Sequence, residues 1–150
     1  SSEARYMVWS EIDFQKSVWN IPATRMKTGI IHRVPLTNQV IKLLEKQTVA
    51  NEMKLVFPSP RNHIALTDMA MTKFLRDKKA QSDIPDRTAT VHGFRSSFRD
   101  WASENGYNRD LAEKALAHSV KDKTEAAYHR TDLLEQRRPM MEAWSQYICN

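Results

Sequence analysis

Thr90-Val91-His92-Gly93-Phe94-Arg95-Ser96-Ser97-Phe98-Arg99-Asp100-Trp101-Ala102 is the stretch from which the rest of the chain is best understood. Phe94, Phe98, Trp101 and Ala102 recur at i, i+4, i+7 and i+8, the period of a helix with one face in a core. His92 and Arg95 are three positions apart and project from one side of that helix. An imidazole and a guanidinium fixed on the edge of a buried helix make a claw suited to an anion. Further on, the chain passes Ala115-Leu116-Ala117-His118-Ser119 and reaches Tyr128. From His92 to Tyr128 it thus carries imidazoles, guanidiniums and a phenol, groups that together can handle a phosphate.

The helix through His92 to Asn105 is expected to stop at Gly106, a suitable residue just past a C-cap. Asn108 or Asp110 opens a short helix to about Ala117, and Asp122 opens another carrying Tyr128. A last helix from Asp132 sets Leu134, Met141, Trp144 and Ile148 on one stripe, disturbed at Pro139. In the other direction, Asp83-Ile84-Pro85-Asp86 is a surface loop, and Thr67 caps a helix with Ala70, Met71, Phe74 and Leu75 facing in. Phe57-Pro58-Ser59-Pro60 is a connector, since each proline pushes its predecessor away from helix. Thr37 or Asn38 caps a helix with Val40, Leu43, Leu44 and Gln47 in period. Thr24–Lys27 and His32–Leu36 flank Thr28-Gly29 as a hairpin, with Lys27 at its lip and Pro35 confining the second strand to an edge. Trp9, Ile12, Val18, Trp19 and Ile21 mark turns and a short strand, and Ser1–Met7 the tail of a helix that starts upstream. The expected fold is mainly α with a small antiparallel β-sheet near the N-terminus, an α+β domain.

The chain has 150 residues, of which 41% are hydrophobic and 27% charged, enough for one domain with a real core. Its formal charge of +5 permits nucleic-acid binding without requiring it. The single cysteine, Cys149, excludes an intrachain disulfide and a thiolate metal cluster. No apolar run reaches the length of a membrane span and no signal-peptide pattern opens the chain, so the cytoplasm is the expected compartment. Glycines occur only at 29, 93 and 106, from which neither G-x-x-x-x-G-K-[ST] nor G-x-G-x-x-G can be built. Nucleotide-dependent phosphoryl transfer in the usual folds is excluded on that ground.

On His92-x-x-Arg95, Leu116-Ala117-His118-Ser119 and Tyr128, ten residues beyond His118, the chain resembles the catalytic domain of the tyrosine recombinases of the phage-integrase family. Trp9-Ser10-Glu11-Ile12-Asp13, Met26-Lys27-Thr28 and His32-Arg33-Val34-Pro35-Leu36 resemble the prophage-encoded members. The family usually has glycine where Ala117 stands, a small-for-small exchange given little weight on sequence alone. It also has an earlier catalytic arginine opening an Arg-x-x-Glu-Ala segment, of which Ser1-Ser2-Glu3-Ala4 supplies only the end. The resemblance therefore implies that residues 1–150 are a single catalytic domain fragment, with that arginine and the N-terminal DNA-binding domains upstream, and that the fragment alone cleaves weakly or not at all.

What the resemblance implies about function is site-specific DNA recombination, in prophage integration or excision, through a 3′-phosphotyrosyl intermediate. Tyr128 would be the nucleophile and His92 the general base, later the acid in religation. Arg95 and His118 would hold the non-bridging oxygens, and Lys27 would protonate the departing 5′-oxygen. Arg99, Lys121 and Lys123 would touch flanking phosphates. No cofactor and no metal is implied. The partner would be double-stranded DNA at attachment sites, with a homo-tetramer on DNA in the full-length protein, and no membrane. Two other functions share this fold: a DNA-binding regulator that does not cut, and a type IB topoisomerase that relaxes supercoils.

Each of these residues also has a plainer reading. Taken singly, Tyr128 is an ordinary half-buried tyrosine, His92 a capping or core histidine, and Arg95 an ion-pair partner of Asp100 or Glu104. Lys27 is a solvated edge charge, and Arg99, Lys121 and Lys123 keep the surface wet. His118 and His129 with Asp122 suggest a metal site, but no H-E-x-x-H or C-x-x-C accompanies them. Arg137 and Arg138 belong to a solvated helix face. The terminal stripe docks either on a neighbouring protomer or back on its own domain.

Overall fold

The computed structural model describes residues 2–47, 54–118 and 131–149. Helix α1 (Ser2–Arg5) leads into a 3-10 turn over Trp9–Glu11 and then into a three-stranded antiparallel sheet. Its strands are β1 (Ile12–Asp13), β2 (Val18–Ile21) and β3 (His32–Pro35), in the order β1-β2-β3. Trp19 pairs with Ile12 on one side and Val34 on the other, so β2 is central and Pro35 lies on an edge strand, where its missing N–H costs nothing. The partner of β3 is therefore β2 and not Thr24–Lys27. Residues Ala23–Arg25 form a 3-10 turn, and the bend behind them is set by Gly29, at φ +66°. The sheet is small and N-terminal, as expected, but its register is wider than a tight hairpin would give.

Helix α2 (Asn38–Glu45) begins at Thr37, whose hydroxyl accepts from Val40 N at 3.3 Å. It buries Leu44 and leaves Leu43 49% exposed, so the stripe is narrower than the periodicity suggests. Helix α3 (Ala70–Asp77) starts after Met69 without a side-chain cap and buries nothing; Phe74 is 60% exposed. The inward face expected for that helix is not used. Helix α4 (Gly93–Glu104) buries Phe98, Trp101 and Ala102, whereas Phe94 is exposed at its first turn. It ends before Gly106, whose φ of +74° is the left-handed geometry that glycine adopts without strain. Asn108 then caps α5 (Arg109–Ala115), accepting from Asp110 N at 2.7 Å.

The last helix, α6 (Leu134–Cys149), spans both halves of the molecule. Met140 is fully buried among Phe98, Trp101, Ala102 and Ala112, where Tyr107 stacks on Trp101 and Trp144 packs tilted against it, closing the α4–α5–α6 core. A second core gathers Met7, Leu36, Leu44 and Val56 beneath the sheet and α2. Helix α6 reaches that half through polar bonds: Thr37 Oγ1 donates to Ser145 Oγ at 3.0 Å, Arg138 donates to the carbonyls of Lys16 and Ser17, and Asn38 N donates to Glu142. The helix thus lies on its own domain. Its buried stripe is Leu134, Arg137, Met140 and Ser145, while Ile148 is exposed. Arg137 corrects the expectation of a solvated face: it has no exposed surface and donates to the Arg33 carbonyl at 2.8 Å. Among the described residues, no helix is long and apolar enough to cross a membrane.

Candidate active site

The site is built around the C-terminal end of α5. The last carbonyls of any helix lack intrahelical partners and carry partial negative charge, so they attract N–H groups and cations. Here they are claimed one by one. Ala117 takes a left-handed backbone, φ +54°, which turns the chain back so that Ala117 N donates to Lys114 O at 3.2 Å and His118 N to Glu113 O at 3.0 Å. That pair of bonds is a Schellman cap, the arrangement in which glycine is favoured at the turning position. The alanine at 117 is therefore not a neutral small-for-small exchange, because its Cβ makes this backbone strained. The Leu116 carbonyl accepts from Arg95 Nη2 at 2.5 Å. The ring of His32, which opens β3, lies near the Ala115 main chain.

These bonds bring Arg95 and His118 together, on helices separated by only a short turn. Arg95 is half-buried and pairs with neither Asp100 nor Glu104; its guanidinium is fixed by a main-chain carbonyl two residues before His118. His92 stands one turn earlier on the same helix. It occupies the cap position of α4, yet its ring is exposed and caps nothing, because Thr90 Oγ1 accepts from Gly93 N at 2.9 Å instead. Neither a capping nor a core role accounts for that histidine. Arg99, one turn beyond Arg95, donates from Nη2 to Glu113 Oε1 at 2.9 Å, and Glu113 Oε2 lies 2.5 Å from His118 Nδ1. Arg95 and His118 thus both attach to the C-terminal end of α5, and His92 precedes Arg95 by three positions on α4.

Lys27 stands exposed on the turn between β2 and β3, five positions before His32. The turn follows β2 and leads into His32, which opens β3. Its base is pinned by Glu11, whose carboxylate accepts from Trp19 Nε1 at 2.9 Å and from Arg25, while Arg25 also donates to the Glu3 carbonyl. Tyr128, Lys121 and Lys123 lie outside the described residues.

A profile of the phage integrase family matches residues 1–134. The chain belongs to the phage integrase family. It is 34% identical over 149 residues to the prophage integrase IntA of Escherichia coli K12, covering 98% of this chain and 35% of that protein. It is 33% identical over 163 residues to the integrase of Enterobacteria phage P4, covering 99% and 37%, and 32% identical to the prophage integrase IntZ of E. coli K12, covering 99% and 36%. The chain thus spans little more than a third of these integrases. No solved structure matches it significantly.

Within this integrase domain, three residues that sequence reasoning passed over prove structural to the site: His32, Glu113 and Arg137. Burial, followed by the nearby Arg137 charge, pushes His32 below its ordinary value of 6.5. Asp132 takes two bonds from Arg33, both at 2.7 Å, and these hold its carboxyl below the usual range. Burial likewise lowers Arg137, whose Nη2 lies 3.5 Å from Asp132. His32 entered the sequence reading only as part of the His32–Leu36 segment, and Arg137 only as a solvated face. Each is recognisable only once β3, α5 and α6 are side by side.

Proposed function

We propose that this domain carries out site-specific DNA strand transfer as the catalytic part of a prophage-type tyrosine recombinase. The observation that supports the reading is the α5 end, where neighbouring main-chain carbonyls hold the Arg95 guanidinium and the His118 main chain, with His92 three positions before Arg95. The Tyr128 phenol oxygen attacks the scissile phosphorus, forming a tyrosyl–phosphate bond as the bond to the 5′-oxygen breaks. A phenol titrates near 10 and is largely protonated at neutral pH, so His92 takes its proton. Lys27 gives a proton to the departing 5′-oxygen. Attack by a 5′-hydroxyl of another strand reverses each step and releases the tyrosine, so no net hydrolysis occurs.

Charge builds on the non-bridging oxygens in the five-coordinate transition state. Arg95 and His118 meet it with donors already in place, and a preorganised donor of this kind is worth about 10²–10³ in rate. The planar fork of arginine suits two oxygens at once, and its anchor on Leu116 O removes the freedom that a solvated arginine would lose on binding. The partner is duplex DNA at attachment sites, engaged by a homo-tetramer of the full-length protein. Residues 1–150 act there as its catalytic domain, with a further arginine and DNA-clamping domains supplied upstream. Arg99, Lys121 and Lys123 add contacts to flanking phosphates, so affinity falls steeply with salt.

Tyr128→Phe in a full-length protein carrying this domain is the test. On DNA bearing the attachment site, the variant is expected to bind normally and to form no SDS-resistant covalent complex. Undiminished covalent complex in the variant would overturn the assignment, and the absence of any complex in the unaltered protein would favour a regulator that does not cut.

A further inference from the structure

His118 is gripped twice by one residue. Its main-chain N–H donates to the Glu113 carbonyl at 3.0 Å as part of the helix cap, and its Nδ1 lies 2.5 Å from Glu113 Oε2. An ionised carboxylate only accepts, so the Nδ1 proton belongs to the ring and points at Glu113. The second oxygen, Oε1, accepts from Arg99 Nη2 at 2.9 Å. The Glu113 side chain is 20% exposed and that of His118 41%, so the carboxylate lies beneath and the ring faces outward. Because Arg99 belongs to α4, this bridge also fixes the ring relative to the helix that carries Arg95.

The bond has a chemical consequence at the other nitrogen. With Nδ1–H committed to Glu113, a neutral ring has only a lone pair at Nε2 and repels a phosphate oxygen. To donate from Nε2, the ring must carry both protons, with the carboxylate as countercharge. The charged groups placed around the ring by the described elements are Glu113 on α5, Arg99 and Arg95 on α4, and His32 behind Ala115 on β3. Glu113 is the one that favours a cation there.

We propose that Glu113 is a positioning residue of the strand-transfer site, holding His118 as a doubly protonated ring with Nε2–H turned toward the scissile phosphate. Arg99 steadies the carboxylate. The proposal rests on the strand-transfer role of His118 and assigns a function to a residue outside the motif set. It also explains why a carboxylate sits in a site meant for an anion: its charge is spent on the imidazolium and on Arg99.

The test is a pH profile of single-turnover cleavage on nicked attachment-site DNA by the full-length protein, its Glu113→Gln and His118→Ala variants, and the double variant. It is read together with the ¹⁵N spectrum of the His118 ring. Glutamine still accepts from Nδ1 but brings no charge, so the fold and tautomer survive. His118→Ala is expected to cost about 10²–10³ in rate, and Glu113→Gln at least about tenfold near neutral pH, recovering as the pH is lowered. The double variant is expected to be no slower than His118→Ala, because one residue acts through the other. Both ring nitrogens should carry protons in the unaltered protein, and Nε2 should lose its proton in Glu113→Gln. Independent, multiplying losses, a pH-independent Glu113→Gln defect, or an unprotonated Nε2 in the unaltered protein would overturn the proposal alone. Unimpaired cleavage by His118→Ala would overturn the strand-transfer role of His118 itself, and the proposal with it.

Discussion

At the scale of single residues, the site is decided by where main-chain carbonyls lie as much as by which side chains are charged. Among the described residues Arg95 is held by the Leu116 carbonyl and by no carboxylate, which leaves its charge for the phosphate of the proposed reaction. Arg95→Lys keeps the charge but loses the fork and its anchor. It is expected to slow cleavage about 10²–10³-fold with little change in DNA affinity, as single-turnover rates and filter binding would show. A rate within a few-fold of the parent would mean the planar geometry is irrelevant. Ala117 allows a prediction of opposite sign. Its φ of +54° is strained for a side chain bearing Cβ, and Ala117→Gly should stabilise the domain by about 0.5–1 kcal/mol once the greater freedom of unfolded glycine is allowed for. A higher urea midpoint with unchanged m would show it. The placing of His92 and Arg95 on one side of α4 was legible in their spacing, and His118 was singled out only through the family resemblance. The strain at 117 and the grip of Glu113 were not, since both depend on a cap whose geometry no spacing rule specifies.

Among the elements, α6 has the largest structural role. It closes the α4–α5 core with Met140 and Trp144 and ties the β1–β2 turn and the start of α2 to that core with polar bonds at Lys16, Ser17, Thr37 and Asn38. Met140→Ala removes a fully buried side chain from the junction and should cost about 2–5 kcal/mol in urea unfolding. A cost below about 1 kcal/mol would indicate that α6 is loosely attached. The periodicity of α4 located Phe98, Trp101 and Ala102 correctly, because a helix packed on one side must repeat its apolar residues. On α6 the expected stripe holds at Leu134, Met141 and Trp144 and fails at Ile148, and Arg137 was missed for an opposite reason. Arg137 occupies a core position, and a hydrophobic pattern has no way to register a buried guanidinium whose partners, Arg33 O and Asp132, come from elsewhere in the chain. Likewise α3 shows an amphipathic pattern yet buries nothing, since a pattern specifies a face and not what covers it.

Across the whole molecule, His32 joins sheet, α5 and α6 and makes stability depend on pH. Burial, then the Arg137 charge, holds its folded value below the ordinary 6.5, so the unfolded chain binds the proton more readily. Stability is therefore full above the unfolded value and is lost as pH falls through the lowered folded one. Asp132 acts with the same sign in a more acidic window, because the bonds from Arg33 depress it below the usual carboxylate range. The urea midpoint is expected to drop between about pH 7 and about pH 5, and His32→Gln, which keeps a polar side chain without a titrating ring, should flatten that slope. An equal slope in the variant would assign the dependence to other groups. The claim on which the functional account depends is that Arg95 faces the non-bridging oxygens of the phosphate that is cut. The most direct measurement replaces the scissile phosphate with a methylphosphonate, which removes that negative charge, and compares cleavage by the full-length protein and its Arg95→Ala variant on both substrates. The account predicts a large Arg95→Ala defect on the phosphate and a much smaller one on the methylphosphonate. Equal defects on the two substrates would contradict it.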